Sequence, residues 1–275
     1  MAMEETKALP SPQTNNLDLV DSKPPAKPHF WYDAVEPKRT DLLLLACCFV
    51  VGLTDTSSFH NWATFVSMQT GNTIILCLST AGYPAGQPYA FATTLISIVA
   101  FFLGGFVTTR VSNIVGAKRR IVLSTNFLFQ AILITVAAAL ATSSILITDQ
   151  HHGAHGVLDD ARILIAIGPL AFQSGATIAT SRLVGYGNEI PCCVYTSTFA
   201  ALAADPKLFH LHGNAPRNRR VAAVIAVFSG AFVATWLEKA SVGAVATFWM
   251  AAGIKYALAA AVCLLPQKQP QLAAK

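Results

Sequence analysis

Long apolar runs, rather than a strict alternation, organise this chain. The stretches 42–53, 91–107, 121–141, 163–179, 221–236 and 242–265 each approach the roughly 20 residues that a helix needs to cross a bilayer. Lipid offers backbone groups no hydrogen-bond partner, so the runs predict helices. Two further segments, about 62–82 and about 190–204, are apolar with polar centres. The second holds only about 15 residues, short for a crossing. If both dip in and return, the chain has six spans. If both cross it has eight, and if one crosses, seven. The expected fold is an all-α integral membrane protein with six transmembrane helices and two re-entrant or short broken segments; seven or eight spans are the alternatives.

The apolar pattern also repeats. A shift of 126 residues lays Gln69-Thr70-Gly71-Asn72-Thr73 on Tyr195-Thr196-Ser197-Thr198-Phe199. The same shift lays Phe102-Leu103-Gly104-Gly105-Phe106 on Phe228-Ser229-Gly230-Ala231-Phe232. The two matches share one register, which predicts an internal duplication, with one copy over about 41–143 and the other over about 163–265. With three crossings per copy, the copies must be inverted relative to each other. The two dips would then enter from opposite faces, and Thr70-Gly71-Asn72 would approach Thr196-Ser197-Thr198 at mid-membrane. Ala100, Gly104 and Thr108, matched by Ala226, Gly230 and Ala234, have the small-residue spacing that permits close helix packing.

Composition agrees with a membrane protein. Apolar residues make up 53% of the chain and charged residues 12%, against about a quarter in soluble domains. The formal charge of +5 does not point to nucleic acid, because the basic residues lie scattered in short loops. They read instead as topology signals. With the segment bearing Lys38 and Arg39 in the cytoplasm, six spans place Arg110, Lys118, Arg119, Arg120, Arg182, Arg217, Arg219, Arg220 and Lys268 there too. Arg162 and Lys239 are left outside. Eight spans would put Arg110, Lys118, Arg119, Arg120 and Arg182 outside.

Residues 1–37 hold six prolines, mixed charges and few aliphatics, and are expected to be a disordered tail without a signal peptide. His29, Phe30, Trp31 and Tyr32 suit the membrane interface. The membrane domain is expected over 38–268, with a short tail at 269–275. Cys47, Cys48, Cys77, Cys192, Cys193 and Cys263 lie in or beside apolar runs, and the adjacent pairs lack zinc or redox spacing, so they read as small buried side chains. His151, His152 and His155 share a loop with Gly153 and Gly156, and His210 and His212 form a weaker pair; none makes a preorganised metal site. No cofactor is expected.

Polar residues inside the runs are the candidates for function. Thr70-Gly71-Asn72-Thr73, with Gln69, is the densest polar cluster. Its groups could face a solute or only bond neighbouring helices. Asp55 lies near the end of the first span, at the interface or in a cavity. Lys255 lies about ten residues from either end of 245–265, roughly 15 Å from each surface, too deep for its stem to reach water easily. It should find an acceptor inside the bundle, with Asp55, Glu189 and backbone carbonyls as candidates. Gln173, Thr177 and Ser181, joined by Thr180, share a helix face, and Asn126 and Gln130 make another polar pair.

Val51-Gly52-Leu53-Thr54-Asp55, then Phe65-Val66-Ser67-Met68-Gln69-Thr70-Gly71-Asn72, and later Gly104-Gly105, resemble the YoaK family of uncharacterised membrane proteins, found in bacteria and fungi. The resemblance covers about 41–265, and the proline-bearing tail is similar to fungal members. It implies a multi-span membrane protein and supplies no substrate. The second copy departs from the motif, with Ser197-Thr198 in place of Gly-Asn.

The leading functional expectation is a small-solute transporter or channel. Its polar site at the repeat interface would be built from Asp55, Gln69, Thr70, Gly71, Asn72, Thr73, Gln173, Thr196, Ser197, Thr198 and Lys255. Its partners would be the lipid bilayer and a small polar solute or ion, and self-association is compatible with it. The alternative is a non-transporting scaffold or sensor. No catalytic constellation is present, so an enzyme is not expected.

Overall fold

A computed structural model describes residues 30–36, 39–83, 89–143, 161–210, 213–240 and 243–266. The expectations for 1–29, Lys38, the loop carrying His151, His152 and His155, His212, Lys268 and 269–275 fall outside the described residues. The described chain is all-helical. Its elements are α1 (Thr40–Trp62), α2 (Gln69–Ser79), α3 (Ala90–Val115), α4 (Arg120–Thr142), α5 (Ile163–Val184), α6 (Tyr195–Ala203), α7 (Ala215–Lys239) and α8 (Gly243–Ala261), closed by a 3-10 turn, Val262–Leu264. Six of these, α1, α3, α4, α5, α7 and α8 with its 3-10 turn, are long and apolar enough to cross a membrane. Helices α2 and α6, with 11 and 9 residues, are not.

Side-chain contacts fix the directions. Asp41 near the start of α1 pairs with Arg219 near the start of α7 (3.2 Å), and Ser57 near the end of α1 bonds Glu238 near the end of α7, so these two run parallel. Helices α3 and α5 cross closely at Gly104 and Gly175, and they run parallel because α4 reverses directly after α3 and is antiparallel to α5, with Asn126 near the start of α4 bonded to Thr180 near the end of α5 (2.6 Å). Helices α4 and α8 are antiparallel, joined from Ser124 to the Ala259 carbonyl (2.9 Å) at one end and from Trp249 to Thr142 (3.1 Å) at the other.

The short helices add no crossings. Thr64, just past α1, donates to Thr93 in the first turn of α3 (2.9 Å), so α1 ends and α3 begins at one face. Arg219 near the start of α7 also pairs with Glu189, just past α5 (2.8 Å), so α5 ends and α7 begins at the other face. Six crossings in two inverted copies result, with α2 dipping in from one face and α6 from the opposite one. Residues 30–36 and Pro266 meet through the Glu36 amide (3.1 Å), so both ends of the described domain lie at one face, called here the tail face.

The tail nearest the membrane is anchored. Val35 donates to the Lys118 carbonyl (3.0 Å), and the amides of Arg120 and Ile121 donate to the carbonyls of Asp33 and Trp31. Arg120 is buried, under the Phe30 ring and against the Leu265 carbonyl.

The duplication has one interruption. Gly104 and Gly230 are 126 residues apart and do the same job, meeting the carbonyls of Phe172 and Phe49. Those two carbonyls are 123 apart (172 − 49), as are the starts of α1 and α5 (163 − 40). The second copy therefore carries three extra residues from the start of its first long helix to the start of its dip (195 − 163 against 69 − 40). That offset hides the first helix of each copy from a 126-residue shift.

Burial ranks the helices. In α1 and α5, 67% and 72% of the apolar window is buried, against 28% in α3 and 17% in α7, so α1 and α5 form the centre and α3 and α7 face lipid. Close approach at the glycines makes this arrangement possible. A Cβ on Gly175 would stand 2.0 Å from the Phe101 oxygen, whereas one on Gly253 meets nothing within 4 Å. Gly175→Val should cost about 3 kcal/mol or more. Gly253→Ala should be neutral or stabilising by up to about 1 kcal/mol, since Ala favours helix. Melting of the detergent-purified variants checks this; equal melting points would contradict the packing.

Candidate functional site

The site begins where α1 ends. Ala63 takes a left-handed conformation (φ 48°) and turns the chain back along the helix it has just left. Residues 64–68 are irregular, and at this depth their amides have no water. Asp55 meets that need. Its Oδ1 accepts from the amides of Val66 (2.9 Å) and Ser67 (2.8 Å), and its Oδ2 accepts from the Ser67 hydroxyl. Asp55 lies seven residues before Trp62, which puts the loop about 10 Å inside the span end.

Asn72 fixes the other side of this tip. Its Oδ1 accepts from the Phe65 amide (3.0 Å). Its Nδ2 lies within reach of the Phe65 carbonyl (2.6 Å), Gln69 Oε1 (2.9 Å) and Ser97 Oγ on α3 (3.0 Å). Asn72 is fully buried and Gln69 bonds Ser97 as well. Thr70 and Thr73 are exposed on the bundle surface, and Thr73 bonds the Gln69 carbonyl (2.9 Å). Gly71 sits against the Phe65 ring, 3.0 Å from where a Cβ would stand.

The second tip is built differently. Ser181 donates to the Ile190 carbonyl, and Cys192 adopts a left-handed conformation (φ 60°). The Cys193 thiol contacts the Ser174 carbonyl (3.7 Å). Thr198 is buried, while Thr196 and Ser197 are exposed and Ser197 bonds the Val194 carbonyl (3.0 Å).

The two tips meet, but not at the threonine-rich triplets. The contact is between Ser67 and Cys193, which are 126 residues apart (193 − 67). It falls three to five residues earlier in each copy, since Asn72 is turned toward its own loop and Thr70, Thr196 and Ser197 lie exposed. Beside the contact lies a half-open cavity of about 410 Å³, lined by Val51, Gly52, Asp55, Thr56, Phe59, His60, Phe65, Ser67, Met68, Cys193, Tyr195, Val227 and Ala231. Phe59 and Phe65 stack with centroids 4.4 Å apart. Thr56, Phe59 and His60 occupy the last two turns of α1, so this wall extends toward the face opposite the tails.

Toward the tail face, the interior is filled. Lys255 is fully buried, and its ammonium reaches Gln130 Oε1 (2.6 Å), Thr177 Oγ1 (2.9 Å) and Cys47 Sγ (3.4 Å). Three donors meet three acceptors, so the group is saturated without a carboxylate. Asp55 and Glu189, considered as partners from sequence, are engaged elsewhere, with the re-entrant loop and with Arg219. The network continues from Gln130 to Asn126 (3.0 Å) and from Asn126 to Thr180 (2.6 Å). Gln173 lies next to it, bonded to Ser174 (2.9 Å), and its Oε1 has no partner among the described residues. Cys48 and Cys192, with sulfurs 4.0 Å apart, fill the level between. Among the described residues no group of His, Cys, Asp and Glu is placed to hold a metal.

A family model described as a protein of unknown function, DUF1275, matches residues 43–261. The chain belongs to this family. No curated protein and no solved structure matches it. In this DUF1275 member, Asp55 alone of the sequence candidates is among the described lining residues of the cavity; Ser67, Cys193, Tyr195 and the Phe59–Phe65 pair also line it and were not among those candidates, while Asn72 and Lys255 bond neighbouring groups outside it. The register that matches the short helices also pairs Ser67 with Cys193, two small side chains of different chemical type.

Lys255→Ala should cost about 3–5 kcal/mol, through lost hydrogen bonds to a charged group and a new cavity. Lys239→Ala, which removes a lysine stacked on Trp236 near a span end, should cost about 1 kcal/mol or less. Thermal melting of the two purified variants compares them, and a similar loss in both would contradict the network's structural weight.

Proposed function

We propose that this DUF1275 member carries a small solute across the membrane, binding it in the cavity beside the Ser67–Cys193 contact. The observation that supports this is the meeting of two inverted re-entrant tips beside that cavity. Inverted repeats with broken helices near the midplane are a recurring plan in transporters. The filled level of Cys48, Cys192 and the Lys255 network, below the cavity, favours a carrier over an open channel. Access from the other face would require the tips to move. By the positive-inside rule the tail face, with Lys118, Arg119, Arg120, Arg182, Arg217, Arg219 and Arg220, is cytoplasmic, and the cavity faces outward. The finer family reading, a YoaK-type member of fungal kind, rests on the 51–55 and 65–72 motifs and the proline-bearing tail.

A scaffold or sensor is the second reading. The saturation of Asn72 and Lys255 by neighbouring groups favours it, since neither has capacity left over for a ligand.

Flux in proteoliposomes across a panel of small solutes separates the two. Thr56→Trp places a bulky ring in the cavity wall without removing a buried hydrogen bond. The carrier reading predicts flux of at least one solute, reduced by about tenfold or more in Thr56→Trp, a barrier increase of about 1.4 kcal/mol, at unchanged melting temperature. No flux for any solute would favour the scaffold, and equal flux in the variant would contradict binding in this cavity.

A further inference from the structure

We propose that the cavity selects small organic ammonium ions, with Asp55 as the counter-charge and the Phe59–Phe65 pair as the aromatic wall. This rests on the cavity being a ligand site, and it adds the ligand's chemical class. Asp55 is the one carboxylate among the described lining residues, and no Lys or Arg is among them. Its partners are backbone amides and the Ser67 hydroxyl, all neutral. These bonds, with a further one from the Met68 amide, hold the carboxylate in place without neutralising its charge. The buried ammonium of Lys255 does not compensate it, because Lys255 is saturated by Gln130, Thr177 and Cys47. Lys255 also sits at the level of Cys47, eight residues and about 12 Å along α1 from Asp55. A carboxylate held out of water without a cation is costly, and a cation entering the cavity offsets that cost.

The rest of the lining decides which cation. A bare metal ion asks for about six or more oxygen ligands. This cavity offers mostly carbon: Phe59, Phe65, Met68 and Val227 beside Asp55 and Ser67. An ammonium with a hydrocarbon or aromatic body satisfies both parts. Its N–H groups meet the carboxylate, its body replaces water on the apolar wall, and the ring faces attract its charge. The volume of about 410 Å³ falls in the range of small-molecule sites.

Three isosteric probes test this on the purified full-length chain: phenethylammonium, neutral 2-phenylethanol and anionic phenylacetate, with affinities from calorimetry in detergent. The ammonium should bind at least about tenfold more tightly than the alcohol, and phenylacetate more weakly than either. Equal affinity for the ammonium and the alcohol, tighter binding of phenylacetate, or no binding of the ammonium at millimolar concentration would overturn the proposal. Asp55→Asn keeps an oxygen for the two amides and should bring the ammonium-to-alcohol ratio to about one; an unchanged ratio in the folded variant would also overturn it. The wild-type series stands if that variant does not fold. Ammonium preference without flux would uphold this ligand class and remove the carrier reading, whereas flux without ammonium preference would do the reverse.

Discussion

Two amides on one carboxylate oxygen hold the centre of this protein together. A chain that stops and turns inside a bilayer exposes backbone groups that lipid cannot satisfy, at a cost of several kcal/mol each. Asp55 takes the amides of Val66 and Ser67, and Asn72 takes both polar groups of Phe65. With those groups bonded, the tip of the first dip can rest about 10 Å inside the span end instead of being driven back to the surface. Everything near the middle follows from that position: the contact of Ser67 with Cys193, the space beside it, and the packing of α2 on α3 through Ser97.

The two copies solve the same problem with unequal chemistry. The first uses a carboxylate accepting from amides; the second uses the Ser181 hydroxyl donating to a carbonyl, in a longer loop. Their charges are unequal too. The carboxylate of Asp55 lies toward the face opposite the tails, and the ammonium of Lys255 toward the tail face. The first borders a cavity; the second is buried in a saturated network of Gln130, Thr177 and Cys47. A symmetric backbone thus carries an asymmetric interior, open on one side and locked on the other.

Much of this was legible in the residues, and the losses have physical causes. Long apolar runs gave the six spans, and basic-residue asymmetry decided between six and eight, because burial of whole helices and loop charge are both coarse signals. Gly104 and Gly230 marked close packing because only glycine admits a neighbouring carbonyl there. The Thr-Gly-Asn cluster was seen as polar residues at depth, yet it lies in the first turn of α2, past the irregular stretch 63–68, where Thr70 and Thr73 face outward and Asn72 is spent on Phe65. Composition shows that polar groups occur at depth, not whether they serve the backbone or a solute. Lys255 was rightly seen as too deep to reach water, but its acceptors come from three other helices, and no local pattern relates them. Residues 30–36 read as tail because their partners, Lys118, Arg120 and Pro266, are distant in sequence.

The central claim is that the two tips, entering from opposite faces, touch at Ser67 and Cys193. Ser67→Cys in a background retaining Cys193 alone tests it in membranes. Mild oxidation with copper phenanthroline should join the two within one chain, detected as a disulfide-linked peptide pair by mass spectrometry. Thr73→Cys, exposed on the bundle surface, should give none under the same conditions. Cross-linking at both positions alike, or at neither, would contradict the meeting of the tips.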